Sequence, residues 1–298
     1  MPSLLNQSAN LIAFVRVVEA GSFSAAARNA GTTPSAISKS IGRLEAELGV
    51  ELFRRSTRTL SLTQDGQAFF ERVAPLLREI DESADAIRPA SAAQGRLRVS
   101  MPSDLGRLLM KPITSVFLAQ HKTLELDLTL LDRHVDVIAE GFDVVFRVGS
   151  VADSELKVRT LSELDMALVA SPAFLSQWGE PSSIEALREL PFVRYLLRGR
   201  SLPVTFRDGS VIVPHGRIGV DSGFGLRAAA LNGMGVAYLM KCTVQEDLDR
   251  GDLVQLLKRN PLPRLPLQAL HAFGRLVPAR VGLLSDFIAK QMQLLVRG

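Results

Sequence analysis

Residues 21–55 read GSFSAAARNAGTTPSAISKSIGRLEAELGVELFRR. Ala25, Ala26, Ala27 and Ala30 give the first half a helix over residues 23–30 whose small surface lets another helix come close. Phe23 is its apolar anchor, and Ser22 or Ser24 supplies the cap. Gly31-Thr32-Thr33 leaves room only for a tight turn. Thr33-Pro34 then suits a helix start, because proline lacks the N–H that would be unpaired there. The next helix runs to about Leu48. Ile37, Ile41, Leu44 and Leu48 recur at helical spacing and form its buried stripe, while Ser35, Ser38, Lys39 and Arg43 occupy the opposite face. Two helices joined in this way make a helix-turn-helix.

The flanks extend the pattern. Upstream, Leu11, Phe14, Val15 and Val18 give a helix over residues 10–20, ended by Gly21. Downstream, Arg54, Arg55 and Arg58 lie on a turn before an alternating segment, residues 59–63, with Leu60 and Leu62 inward. That is the layout of a wing whose tip meets a phosphate backbone. The chemistry suits duplex DNA. Thr33, Pro34, Ser35, Ser38, Lys39 and Arg43 would lie toward base edges or the groove. Arg54, Arg55 and Arg58 would neutralise phosphates. The competing reading is a solvated helix face beside a basic loop.

The whole chain has 298 residues, 47% hydrophobic and 22% charged, which predicts a folded protein of two or three domains. Its net charge of +4 permits a polyanionic partner without requiring one. By zone the charge is +3 over residues 1–63, −3 over 64–95 and +4 over the rest, so the case for DNA rests on where single arginines sit. One cysteine, Cys242, excludes an internal disulfide and every multi-cysteine metal site. The four histidines, His121, His134, His215 and His271, are too scattered for a short metal motif. No apolar run reaches membrane-spanning length, and the start MPSLLNQSAN lacks a secretory pattern, so the expected location is the cytoplasm. Cys242 and Trp178 are expected to be packing residues, although a helix start can activate a thiol.

Residues 11–66 resemble the winged helix-turn-helix of LysR-type transcriptional regulators. The resemblance rests on Phe14, Gly21-Ser22-Phe23, Ala25-Ala26-Ala27, Pro34-Ser35-Ala36-Ile37-Ser38, Ile41, Leu44-Glu45, Leu48-Gly49, Leu52-Phe53-Arg54-Arg55, Leu62-Thr63 and Gly66. Thr33 stands where many members carry glutamine, which can read adenine in a bidentate way. The head is assigned to residues 1–63.

Residues 64–93 are assigned to a linker helix and hinge. Phe69, Val73, Leu76, Ile80, Ala84 and Ile87 make one stripe along a helix of roughly 40 Å, and Pro75 is expected to bend it or leave a carbonyl unpaired. An exposed stripe of that length needs cover, and a second copy of the chain would provide it. The resemblance implies the same: a homodimer, or a dimer of dimers, with paired heads on two half-sites.

Residues 94–298 alternate strands and helices. Residues 97–100, 124–130 and 143–148 read as strands, with a helix to about Gln120 and a short helix from Asp136 to Gly141 between them. This order predicts parallel pairing with right-handed crossovers. A second lobe begins near residue 162, with strands at 166–170, 192–193, 204–206, 211–213, 217–220 and 235–239. A final amphipathic helix spans 278–295. The organisation is similar to the effector-binding domain of the same regulators. The resemblance implies a two-lobed α/β fold of the periplasmic-binding-protein type. Lobe I would comprise about 94–161 and 267–298, and lobe II about 162–266.

An effector in such a fold sits between the lobes, near strand ends and helix starts that attract carboxylates and other anions. The candidates are Ser100, Met101, Pro102, Ser103 and Asp104, then Gly149 and Ser150, then Arg194 and Tyr195, and finally Asp221, Ser222 and Gly223. Arg147, Arg194 and Tyr195 lie at rims or crossovers of the lobes. Asp104 or Asp221 would oppose an anion unless paired with an arginine. The expected partners are double-stranded DNA, a second copy, a small-molecule effector such as a carboxylate, and RNA polymerase. No metal, cofactor, catalytic residue or membrane contact is expected. The alternative is a small-molecule binding protein or transferase whose N-terminal helices serve only assembly, and a structural oligomer is a third reading. No serine–histidine–aspartate set, metal motif or phosphate loop supports catalysis.

Overall fold

The structure, a computed structural model, describes residues 7–54, 60–85, 94–150, 156–274 and 277–297. The chain divides into two compact units, Met1–Pro89 and Ala90–Gly298.

The first unit holds α1 (Ser8–Ala20), α2 (Phe23–Asn29), α3 (Pro34–Leu48) and α4 (Gln64–Asp85). Ser22 Oγ accepts from the Ala25 N–H and Thr33 Oγ1 from the Ala36 N–H, so both caps read from the sequence are made. Gly21 and Gly49 end their helices at φ 67° and 71°, a left-handed conformation that glycine takes at least cost. Ile37, Ile41 and Leu44 of α3 join Phe14, Leu52, Phe53 and Phe70 in one core. The alternating segment after the arginines is shorter than the strand expected. Among the described residues it makes a single bridge, Phe53 to Leu62, flanked by Arg54 N–H to Ser61 O (2.9 Å) and Thr63 N–H to Leu52 O (3.0 Å).

The stripe on α4 divides. Phe69 and Val73 pack against the head core, and the Phe69 ring lies 5.6 Å from that of Phe14. Leu76 and Ile80 are 57% and 61% exposed. Ile87 and the side chain of Ala84 lie outside the described residues. The helix runs unbroken through Pro75. Its first half belongs to the head rather than to a separate linker.

The second unit opens with β1 (Gly95–Met101), α5 (Ser103–Pro112), a π-helical turn (Ile113–Phe117), α6 (Leu118–Gln120), β2 (Leu124–Leu130) and β3 (Val144–Val148). Pro112 brings no N–H to the helical ladder, and the wider turn follows it directly. The helix expected at residues 136–141 is a single turn instead. Asp136 Oδ1 accepts from the Ile138 and Ala139 N–H groups and caps its start, and Gly141 at φ 72° ends it.

Next come β4 (Lys157–Leu164), β5 (Met166–Ala170), α7 (Pro172–Trp178), α8 (Ile184–Arg188), β6 (Val193–Leu197) and β7 (Arg200–Ser201). They are followed by β8 (Val204–Thr205), β9 (Val211–Ile212), β10 (Ile218–Val220), α9 (Gly223–Leu231) and β11 (Ala237–Met240). The chain closes with α10 (Lys241–Arg250), β12 (Val254–Gln255), β13 (Leu265–His271) and α11 (Ala279–Arg297).

Lobe I is a five-stranded sheet ordered β2-β1-β3-β13-β4, with β1 parallel to β2 and β3, and β13 antiparallel to β3 and β4. Lobe II is built on β11-β5-β12 and on β10-β6-β7, tied by a parallel bridge between Phe192 and Val236. The chain enters lobe II by β4 and leaves it by β13, so the boundaries fall at Asp165 and about Leu265. Helix α11 covers the lobe I sheet with Val281, Leu284, Ile288 and Met292.

Candidate nucleic-acid interface and effector cleft

In the head, burial of Ile37, Ile41 and Leu44 turns the other face of α3 outward. Thr33, Pro34, Ser35, Ser38, Lys39 and Arg43 are all exposed. Three of them, Ser35, Ser38 and Lys39, lie within the first two turns, where side chains reach base edges and free N–H groups favour phosphate. The Thr33 hydroxyl is engaged as the α3 cap, 3.2 Å from the Ala36 nitrogen. Its part at the interface is to order the helix start rather than to offer a free acceptor. Arg54 is exposed at the entry to the wing; Arg55 and Arg58 lie outside the described residues.

Two residues with no assigned role in the sequence reading hold this surface together. Glu45 Oε1 accepts from the main-chain N–H groups of Leu52 and Phe53. Thr63 Oγ1 donates to Glu51 O (2.7 Å) and accepts from the Gly66 N–H (2.9 Å), joining the wing base to the start of α4. Gly66 itself lies so close to the Leu52 carbonyl that a Cβ would overlap it. The only signal for these clamps was spacing: an acid one turn before the helix end, and a threonine just before an acidic first turn.

In the second unit the two lobes meet at the starts of α5 and α9. Asp132 Oδ1 accepts the Ser103 N–H at 2.8 Å and ties the segment after β2 to α5. Asp104, 9% exposed, sets its carboxylate against Gly223, where any side-chain carbon would overlap it. Burial pushes the Asp104 carboxyl up, the Asp132 carboxylate adds to the effect, and Arg107 and Arg227 oppose it. The Arg107 guanidinium lies 4.7 Å over the Phe224 ring, a second contact between lobes.

Tyr195 completes this side. Its phenol is pushed up by burial and by the Asp132, Asp221 and Asp104 carboxylates, with Arg147 opposing. Arg147, 9% exposed, donates to the carbonyls of Leu131 (3.3 Å) and Arg133 (2.6 Å). Its guanidinium is shifted down by burial, while Asp132 and Tyr195 work against that shift. Ser100 Oγ and Gln268 Oε1 are buried without a hydrogen-bond partner among the described residues.

Two expected cleft residues, Met101 and Arg194, face away from the others. Met101 is fully buried in the lobe I core with Leu105 and Leu109, because alternation along β1 turns it away from the face that carries Ser100. Arg194 and Tyr195 are neighbours on β6 and so point to opposite faces; Tyr195 packs toward the Val193 side, and Arg194 does not share it. Ser222 stands at the start of α9 but its hydroxyl makes no cap. Gly149 takes φ 96°, with its N–H on Pro266 O (2.9 Å), and Ser150 is exposed beyond it. Pro102 and Ser103 are half-buried between β1 and α5, and Asp221 is exposed before α9.

Both halves of the chain match family models. Residues 9–67 match the bacterial regulatory helix-turn-helix protein of the lysR family, and residues 90–293 match the LysR substrate binding domain. The chain belongs to the LysR family. It is 31% identical over 286 residues to the uncharacterized HTH-type transcriptional regulator YhjC of Escherichia coli, covering 94% of this chain and 96% of YhjC. It is equally similar, 31% over 291 residues, to the HTH-type transcriptional regulator CrgA of Neisseria meningitidis, covering 96% and 97%. The solved CrgA structure matches with a TM-score of 0.61 at 29% identity over 95% of this chain and 98% of that one. The full-length virulence activator AphB of Vibrio cholerae matches with a TM-score of 0.57 at 27% identity, covering 95% and 98%. This LysR-type chain is thus a transcriptional regulator with a DNA-binding head and an effector-binding domain of two lobes. No single helix among the described residues is long and apolar enough to cross a membrane.

Proposed function

We propose that the regulator reads duplex DNA with Ser35, Ser38, Lys39 and Arg43 of α3 and grips the flanking phosphates with Arg54, Arg55 and Arg58. The reading rests on one observation: the first two turns of α3 present only small or basic side chains outward, while Ile37, Ile41 and Leu44 fix the helix to the core. Ser35 and Lys39 carry sequence preference; the arginines carry affinity and salt dependence. The chain works in the cytoplasm as a homodimer, or a dimer of dimers, so that paired heads occupy two half-sites. Exposed Leu76 and Ile80 on α4 supply the apolar contact between copies.

An effector between the lobes changes their closure or the arrangement of the dimer, and with it the spacing and bend of the bound operator. RNA polymerase is the partner that senses that change. No covalent step is required of the protein.

The test is retention of genomic fragments at two salt concentrations. The wild-type chain is expected to hold a specific subset, and Arg54→Ala to weaken all fragments alike, with the log–log salt slope reduced by about 0.9 for each phosphate left without its arginine. Lys39→Ala is expected to change which fragments are held. A folded wild-type chain that retains no fragment would refute the assignment of this surface.

A further inference from the structure

The effector cleft carries more acid than base. Asp104, Asp132 and Asp221 stand at the starts of α5 and α9 and in the segment after β2, and among the described residues none of them forms an ion pair. Of the basic groups nearby only Arg227 is neutralised by a carboxylate; Arg107 and Arg147 keep their charge, so three carboxylates stand against two cations. Arg227 is held in a bidentate pair by Asp247, Arg107 lies over Phe224, and Arg147 donates to two main-chain carbonyls.

The sheet face beside these acids carries a second, independent signal. Ser100 pairs with Val145 across β1 and β3, and Gln268 pairs with Arg147 across β3 and β13. Alternation therefore places Ser100, Arg147 and Gln268 on one face, opposite the core that takes Val99, Phe146 and Leu267. Ser100 is fully buried, and its Oγ has no partner among the described residues; Gln268 Oε1 is buried and equally unpartnered among them. A buried polar atom without a partner costs about 1–3 kcal/mol, so a ligand that satisfies it gains accordingly. The unpaired capacity here, carboxylates, an amide oxygen and a hydroxyl, is mainly that of acceptors.

We infer that the effector is a small metabolite bearing a protonated amino group, which donates to the Asp104 and Asp221 side of the cleft and to the buried oxygens of Ser100 and Gln268. This rests on the reading of the inter-lobe cleft as the effector site and specifies its chemistry. A metal ion fits less well, since no group of three or more acidic, histidine or cysteine residues among those described is arranged to hold one. A simple carboxylate would meet three carboxylates against the two cations of Arg107 and Arg147.

The experiment is titration calorimetry on the full chain at constant ionic strength with four probes: 1,4-diaminobutane, L-lysine, benzoate and succinate. At least one of the two amines is expected to saturate. Asp221→Asn, at an exposed position that tolerates the change, and Asp104→Asn are each expected to weaken that amine about tenfold or more. Asp249→Asn, on the outer side of α10, controls for a general loss of negative charge and is expected to leave the affinity within about twofold. Saturation by benzoate or succinate with no response to either amine would overturn the inference while leaving the cleft as an effector site. Absence of saturable binding of both amines at about 1 mM, the weak end of specific affinity, would overturn it as well. An amine affinity unchanged in both cleft variants would place the binding elsewhere and refute it. Retention of genomic fragments by the head is read separately and judges the DNA assignment alone.

Discussion

Glu45 Oε1 accepts the Leu52 N–H at 2.8 Å, so a carboxylate in the last turns of α3 holds the first main-chain group of the wing. The same oxygen takes the Phe53 N–H at 3.2 Å. Helix and wing are thereby fixed to each other through one side chain, and both must be placed correctly if they are to meet one DNA segment.

Removing that acceptor leaves two N–H groups to find other partners. Hydrogen bonds to a charged group contribute about 1.5–3 kcal/mol. Glu45→Ala is expected to cost about 2 kcal/mol in chemical denaturation followed by helix content, and Glu45→Gln, which keeps an amide oxygen in place, is expected to cost less. Unchanged stability in Glu45→Ala would show that the pairing contributes little.

The divided stripe on α4 separates folding from association. Phe70 is 5% exposed within the head core, and Phe70→Ala is expected to cost about 3–5 kcal/mol of stability. Leu76→Glu with Ile80→Glu alters only exposed positions and is expected to convert the sedimenting species to monomer without lowering the melting temperature of the head. A dimer that survives the double change would remove α4 from the interface.

Asp247 is 1% exposed and is met by Arg227 at 2.5 Å and by Arg250 at 2.7 Å. Only the carboxylate is buried, and the two arginines, 24% and 54% exposed, can turn to water without it, so the loss is that of charge-assisted hydrogen bonds to Arg227, about 1.5–3 kcal/mol. Asp247→Ala is therefore expected to lower the stability of the second unit by that order in urea titration. Asp252→Ala, which touches only the exposed edge of Arg250, is expected to change it far less.

Alkaline stability follows from two buried acids. Burial pushes the Cys242 thiol up to about 11 from 9.0, and the Tyr238 phenol up to about 12 from 10.0. Above pH 9 the unfolded chain releases these protons before the folded one does. The folded state then binds more protons, and stability falls as pH rises toward each native value. Thermal unfolding is expected to show a declining melting temperature between about pH 9 and pH 11, shallower in Cys242→Ala and Tyr238→Phe. The raised thiol also predicts slow alkylation of Cys242 near neutral pH, in keeping with a packing role. Rapid labelling of the native chain would contradict it.

Where the sequence carried a strict period or a cap, structure could be read from it closely. The stripe Ile37, Ile41, Leu44 and the pair Thr33-Pro34 locate α3 to its first residue. The β2 alternation was legible for the same reason. Strand β4 was not, because the register with β13 shifts between Leu267 and Gln268 and breaks the two-residue pattern.

The cleft was only half legible. Proximity to a strand end nominated Met101 and a place at a rim or crossover nominated Arg194, yet parity along β1 and β6 sends them away from Ser100 and Tyr195. Asp132 carried no signal of its own, since its place depends on a hydrogen bond to Ser103, 29 residues away in sequence. Phe69 fitted the α4 stripe by spacing, but the rings of Phe14 and Phe53 had already claimed that side of the helix.

Gly223 leaves the Asp104 carboxylate room that any other residue would fill. How near the lobes approach along this line is thus gauged by a missing side chain. Alanine, serine and valine at position 223 would act as wedges of increasing thickness, and a graded set of openings, each with its own operator affinity, could be made from one codon.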